Sequence, residues 1–219
     1  MFSNTEIPSK FLSLMMNSND ANNKEKLENY DPENFVDEDD NFSYYQKYGN
    51  KSNISFPSCY IFLVDQSGSM HGKPIQIVRQ TIMLFLKSLP FNLYFQVICF
   101  GTDYKKYNEA PFLYTEKNIN EIIDILSGIN ADFGGTNLYK PLEEVYKKQN
   151  QYISLNLPIH IIIITDEKVP NAGYCSNIIF DNKDNFKVHA IGIGEDYDRS
   201  LIEQSALADR GIKGFIKNV

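Results

Sequence analysis

The stretch Cys59–Ser69, CYIFLVDQSGS, constrains the fold of this chain most. Its apolar run Tyr60-Ile61-Phe62-Leu63-Val64 has no polar alternation and stops at Asp65. Such a run is a strand covered on both faces, as in a parallel α/β sheet. The carboxyl ends of strands in open α/β sheets are where ligands sit. Past Asp65 come Ser67 and Ser69, with Gly68 between them. One carboxylate and two hydroxyls at two-residue spacing can turn toward one point in a tight loop. That donor set suits a hard cation such as Mg²⁺, which takes oxygen ligands and keeps part of its water.

Helical and strand patterns alternate after this loop. His71-Gly72-Lys73-Pro74 opens a helix with Pro74 in its first turn. Ile75, Val78, Ile82, Leu86 and Leu89 form one apolar face, and the helix ends before Pro90. Leu93–Phe100 is a second buried strand, ended by Gly101, and Asp103–Thr115 has the pattern of a hairpin or edge strand. A short helix is expected over Asn118–Leu126 and another from Leu138 to about Gln149. Pro158–Thr165, PIHIIIIT, is the most apolar strand, and it too ends at a carboxylate, Asp166. A helix near Tyr174–Phe180, a strand Lys187–Ile193, a helix Asp198–Ala208 and a short strand Gly214–Ile216 complete the pattern. The alternation predicts right-handed βαβ units and a parallel sheet, and the expected class is doubly wound, Rossmann-like α/β.

Three strand-end loops carry the candidate chemistry. The first holds Asp65, Ser67 and Ser69; the second holds Thr136 after the pair Gly134-Gly135; the third holds Asp166. In a doubly wound sheet these loops can converge on one edge. Each has a bland alternative, because an Asp, Ser or Thr after a strand is often only a helix N-cap. The three together, each after an expected element, favour a metal site.

The motifs DxSGS, GGTN and TD, in this order and spacing, resemble the von Willebrand factor A domain and its metal-ion-dependent adhesion site (MIDAS). The resemblance covers about residues 59–217. FLVDQSGSM, LKSLPFNLYFQVICFG, ADFGGTNLYKPL and IGIGEDYDRSLI are similar to the intracellular VIT-domain and vault-associated branch. It implies a three-layer, six-stranded sheet with one antiparallel edge strand and helices on both faces. It implies that Ser67, Ser69 and Thr136 contact Mg²⁺ (or Mn²⁺) directly, and that Asp65 and Asp166 hold it directly or through water. His71, Gly135, Asn137 and Glu167 fall on the rim that would meet a partner. Three departures stand out. The chain has no room for an upstream VIT domain. Glu167 replaces the usual Gly after the Asp. The chain stops at Val219, without the usual last helix, which makes affinity switching through that helix unexpected.

Charge counting then suggests a mechanism. Two carboxylates and three neutral hydroxyls leave the ion electrophilic, so that a partner's Asp or Glu carboxylate can take an open position. The expected function is a divalent-cation-dependent protein-binding module, not an enzyme. The rival reading is a Mg²⁺-dependent hydrolase or phosphoryl-transfer enzyme. It lacks a P-loop, a second carboxylate beside Asp65 and an evident general base, since His160 and His189 lie in strands and His71 sits on a loop rim. Another alternative is a fragment of a secreted protein like the inter-alpha-trypsin inhibitor heavy chains.

Composition sets the remaining bounds. Residues 1–58 carry 5 Lys and 10 Asp or Glu, a net of −5, against −7 for the whole chain. They form the expected first region, an acidic, Asn-rich and largely flexible segment, with residues 59–219 as the domain. Its cluster Asp37–Asp40 is a candidate internal competitor for the metal position. A basic face for nucleic acid is not expected. No apolar run approaches the roughly 20 residues that span a bilayer. No signal-peptide pattern opens the chain. Three cysteines, two of them inside apolar strands, fit reduced thiols and a cytoplasmic protein.

Overall fold

A computed structural model describes residues 58–89, 93–166, 169–193 and 213–216. Residues 1–57 of the expected segment 1–58, Glu167 and the expected helix Asp198–Ala208 lie outside the described residues.

Among the described residues seven strands form one sheet: β1 (Cys59–Asp65), β2 (Tyr94–Phe100), β3 (Tyr104–Lys106), β4 (Phe112–Leu113), β5 (Ile159–Thr165), β6 (Phe186–Ile193) and β7 (Lys213–Ile216). Their order is β3-β2-β1-β5-β6-β7, with β4 also on β2. β1 is parallel to β2 on one side and to β5 on the other. β5–β6 and β6–β7 are parallel as well. The winding therefore reverses between β1 and β5, which places the switch point at the carboxyl ends of the two most apolar strands.

Both faces are covered, which explains why β1, β2 and β5 lack polar alternation. One face carries Ile61, Leu63, Ile161 and Ile163. It packs against α3 (Tyr139–Lys147), α4 (Gln149–Ile153) and α5 (Ala172–Asp181) through Leu142, Val145, Tyr152, Cys175 and Ile179. On the other face Phe62 meets Phe85 of α1 (Lys73–Ser88) edge to face at 5.5 Å. α2 (Glu116–Ser127) lies beside α1. Its first turn is capped by Thr115, whose hydroxyl accepts from Asn118 N at 3.2 Å. The three-layer doubly wound architecture is the one expected.

The antiparallel edge is one strand position filled in two pieces. β3 pairs with Ile98–Phe100 and β4 with Tyr94–Phe95. Buried Asn108 bridges the gap: its Oδ1 accepts from Val97 N at 2.9 Å and its Nδ2 donates to Phe95 O at 3.0 Å. Gln96 Nε2 donates to Asn108 O at 2.7 Å, and Tyr152 OH donates to Gln96 Oε1 at 2.6 Å. A side chain thus supplies the ladder bonds that the interrupted backbone omits, as buried polar groups require.

On the α1 face, His160 of β5 and His189 of β6 stack with centroids 5.2 Å apart. Their Nδ1 and Nε2 atoms are 3.0 Å apart, and Tyr60 stacks on His160 at 5.1 Å. Burial, aided by the charge of Lys187, pushes His160 down from the ordinary 6.5 to about 4. Burial, then His160 and Lys187, pushes His189 down to about 3. The folded state thus favours neutral imidazoles, and the unfolded chain takes up protons first. Stability from this pair is complete above about pH 6.5 and declines as pH falls toward the folded values. The melting temperature is expected to be lower at pH 5 than at pH 7, with a smaller drop in the double variant His160→Phe/His189→Phe. An equal drop in both proteins would contradict the assignment.

Candidate metal centre

The site grows from the ends of β1 and β5. Asp65 is fully buried, and each carboxylate oxygen has its own donor. Oδ1 accepts from Ser67 N at 2.8 Å, and Oδ2 accepts from Thr165 Oγ1 at 2.6 Å. Charge-assisted bonds of this kind offset the removal of a carboxylate from water. From there a chain of oxygens leads outward. Ser67 Oγ is 2.9 Å from Ser69 Oγ, and Ser69 Oγ donates to Asp166 Oδ1 at 3.0 Å. A hydroxyl has one proton, so Ser67 is the donor to Ser69. Four of the five expected metal-site residues, Asp65, Ser67, Ser69 and Asp166, thus lie in one network that spans the switch point.

Thr136, the fifth, is half-buried and positioned by the backbone on either side. Gly68 N donates to Gly134 O at 2.7 Å, and Asn137 N donates to Gly101 O at 2.8 Å. Phe133 N also donates to Gln66 O at 3.1 Å, and Thr102 N to Phe133 O at 2.7 Å. The first loop, the loop after β2 and the Gly-pair loop are therefore sewn into one unit. From behind, Arg79 of α1 donates through Nε to Ile129 O at 2.7 Å and through Nη2 to Asn130 Oδ1 at 2.8 Å.

Of the expected rim, His71 is exposed where the short 3-10 turn Gly68–Met70 ends. Gly135 is exposed, and its N–H donates to Thr102 Oγ1 at 2.8 Å. Asn137 is half-buried, with its Oδ1 engaged by Asn171 Nδ2 at 2.9 Å. Glu167 lies outside the described residues. Beside these loops opens a cleft of about 490 Å³ whose lining includes Thr102, Tyr104, Asp132 and Phe133.

The sequence reading assigned no role to Thr165, Thr102 or Asn171. The sequence signal for Thr165 was its place in the TD motif; in the structure Val64 pairs with Ile164, and the next step sets Thr165 beside Asp65. Thr102 and Asn171 act through loop geometry, for which spacing gives no signal. Among the described residues no three His, Cys, Asp or Glu side chains group as metal ligands.

The model of the family described as "von Willebrand factor type A domain" matches residues 60–215. The chain belongs to the von Willebrand factor type A domain family. This A domain is similar to von Willebrand factor A domain-containing protein 5A of Rattus norvegicus, at 31% identity over 169 residues. That match covers 72% of this chain and 20% of the relative, so the chain spans about a fifth of that relative's length. Among solved structures, the von Willebrand factor type A protein from Catenulispora acidiphila superposes with a TM-score of 0.66 at 18% identity, over 74% of this chain and 39% of that one. Proximal thread matrix protein 1 from the mussel byssus, solved with a zinc-occupied MIDAS motif, gives a TM-score of 0.58 at 16% identity, over 73% and 42% of the two chains. At these identities the solved structures establish the A-domain fold.

The two glycines before Thr136 differ in their constraints. Gly134 has φ +75°, and a Cβ there would meet Thr102 Oγ1 at 2.7 Å. A Cβ on Gly135 would make ordinary contact with the same atom at 3.5 Å. Gly134→Ala is expected to destabilise the domain by about 1–2 kcal/mol from the left-handed backbone alone, and Gly135→Ala by clearly less. Urea unfolding of the two variants checks this. Equal losses would contradict the loop geometry.

Proposed function

We propose that this A domain is a divalent-cation-dependent protein-binding module, with Mg²⁺ or Mn²⁺ held by Ser67, Ser69, Thr136, Asp65 and Asp166. The spacing of the oxygen chain carries the reading. Adjacent ligands of an octahedral Mg²⁺, at roughly 2.0–2.1 Å from the ion, lie about 2.9 Å from each other. Ser67 and Ser69 oxygens are 2.9 Å apart, and those of Ser69 and Asp166 are 3.0 Å apart. The oxygens therefore suit both a hydrogen-bonded chain and adjacent coordination positions, with only hydroxyl protons to re-aim. Asp65, buried and fixed by two donors, supplies negative charge without competing for the open side. The zinc-occupied MIDAS motif of the mussel protein adds a fold-level precedent for a metal in such loops.

A bound cation would supply a Lewis-acidic position for an Asp or Glu carboxylate of a protein partner. The domain's own residues orient that contact. The sewn loops fix Thr136, and the exposed His71 and Gly135, with Asn137, frame the approach; Glu167 is assigned to the same rim from its place in the sequence alone. The chemistry favours binding over hydrolysis because His160 and His189 are stacked on each other inside the sheet layer. We assign the module to residues 59–219 and its preceding acidic segment to residues 1–58. All three cysteines are buried and free, which favours a reducing compartment and a cytoplasmic protein. No helix among the described residues is long and apolar enough to cross a membrane.

Titration calorimetry with Mn²⁺ and Mg²⁺ is expected to show one site. Ser69→Ala and Asp166→Ala should each weaken it by more than about tenfold, since losing even an outer-shell partner costs roughly 10–100-fold. These positions are preferable to Asp65→Ala, which strands two buried donors. An array of acidic peptides should bind in Mg²⁺ and release in EDTA, while Asn and Gln versions should not bind. Equal Mn²⁺ affinity in wild type and Asp166→Ala would remove the assignment.

A further inference from the structure

We propose that Asn171 is a positioning residue for the metal loops: its side-chain amide latches the start of α5, five residues after Asp166, to the loop that carries Thr136. The inference rests on the cation-site reading above and adds a residue outside all three motifs.

Asn171 is the N-cap of α5, a position where Asn is favoured because its side-chain oxygen can accept from the first turn. Here the side chain makes no capping bond. Its Nδ2 instead donates to Asn137 Oδ1 at 2.9 Å, 34 residues away in sequence. A local preference set aside for a long-range contact marks a position with another task.

The direction of the latch is fixed at both ends. Asn171 Oδ1 lies 3.8 Å from Cys175 Sγ, and the thiol donates to it. Burial pushes the Cys175 thiol up to about 12, so it keeps its proton at neutral pH. Asn137 Oδ1 also accepts from Lys140 N at 3.4 Å, while Asn137 N donates to Gly101 O at 2.8 Å. Donation thus runs from Cys175 to Asn171 to Asn137, and turning the Asn137 amide over would lose the Lys140 bond. The first and second loops are joined by backbone bonds. Toward the Asp166 segment the links include the side-chain pairs Ser69–Asp166 and Asn171–Asn137. With the latch in place, Thr136 and Asp166 hold their separation before any ion arrives. Outer partners of this kind orient the ligands themselves.

The directionality gives a test that charge alone cannot mimic. Asn137→Asp and Asn171→Asp each add one negative charge beside the proposed cation, so simple electrostatics predicts tighter binding for both. Asn137→Asp keeps the acceptor for Asn171 and Lys140, and is expected to tighten Mn²⁺ binding in calorimetry on the full chain. Asn171→Asp keeps the acceptor for Cys175 but sets an oxygen against Asn137 Oδ1. It is expected to weaken Mn²⁺ binding about tenfold. Asp remains a good N-cap, so α5 persists and the melting temperature stays close to wild type. Amide exchange in the metal-free protein is expected to quicken over residues 134–137 in Asn171→Asp and not in Asn137→Asp. Tightening in both variants, or unchanged exchange in Asn171→Asp, would overturn the latch while leaving the cation reading standing. Mn²⁺ binding that survives Asp166→Ala would overturn both.

Discussion

Asp65 brings a carboxylate to a place that water does not reach, and its neighbours follow from that requirement. Its two oxygens need donors, and they find Ser67 N and Thr165 Oγ1 at 2.8 and 2.6 Å. The first donor makes the chain turn immediately after β1, which sets Ser67 and Ser69 side by side. The second makes β5 lie next to β1, in register, so that Asp166 follows at the lip of the same crevice. A buried ionised group that lost either donor would be destabilising. The reversal of the winding between β1 and β5 is therefore also the place where the most demanding polar contacts are made.

Rigidity around that carboxylate comes mainly from backbone. Bonds from Gly68 to Gly134, Phe133 to Gln66, Thr102 to Phe133 and Asn137 to Gly101 extend the sheet's ladder logic into three loops. Gly101 shows how close the approach is, because a Cβ there would lie 2.4 Å from Phe133 Cβ and O. Sites that hold ligands need such support, since loose loops lose the geometry on which affinity depends. The Asp166 segment is tied in by side chains as well, at Ser69 and at Asn171. The centre thus has two kinds of wall, one sewn by main chain and one held by hydrogen-bonded side chains.

What was legible in the sequence follows the same physics. β1, β2 and β5 were readable because strands covered on both faces must be apolar throughout, and the loops after them because polarity returns abruptly at Asp65 and Asp166. The alternation of elements carried the parallel βαβ units, while the strand order emerged only in the structure. Less legible were features that depend on distant partners. Asp103–Thr115, expected as a hairpin or edge strand, pairs with β2 in two pieces because Asn108 replaces ladder bonds with its side chain. The helix expected from Leu138 to about Gln149 breaks at Lys148, and the following turn buries Tyr152 with its hydroxyl on Gln96. Asn171 carries an N-cap residue type, yet its side chain bonds Asn137. No local pattern encodes such a choice.

The proposed function depends on Ser67, Ser69 and Asp166 oxygens marking the corner of a divalent-cation site. Anomalous diffraction from crystals grown with Mn²⁺, recorded on either side of the manganese absorption edge, tests it most directly. One strong peak bounded by those three side chains and Thr136, removed by EDTA, is expected. No peak there, or a peak elsewhere on the domain that persists in Asp166→Ala, would contradict it.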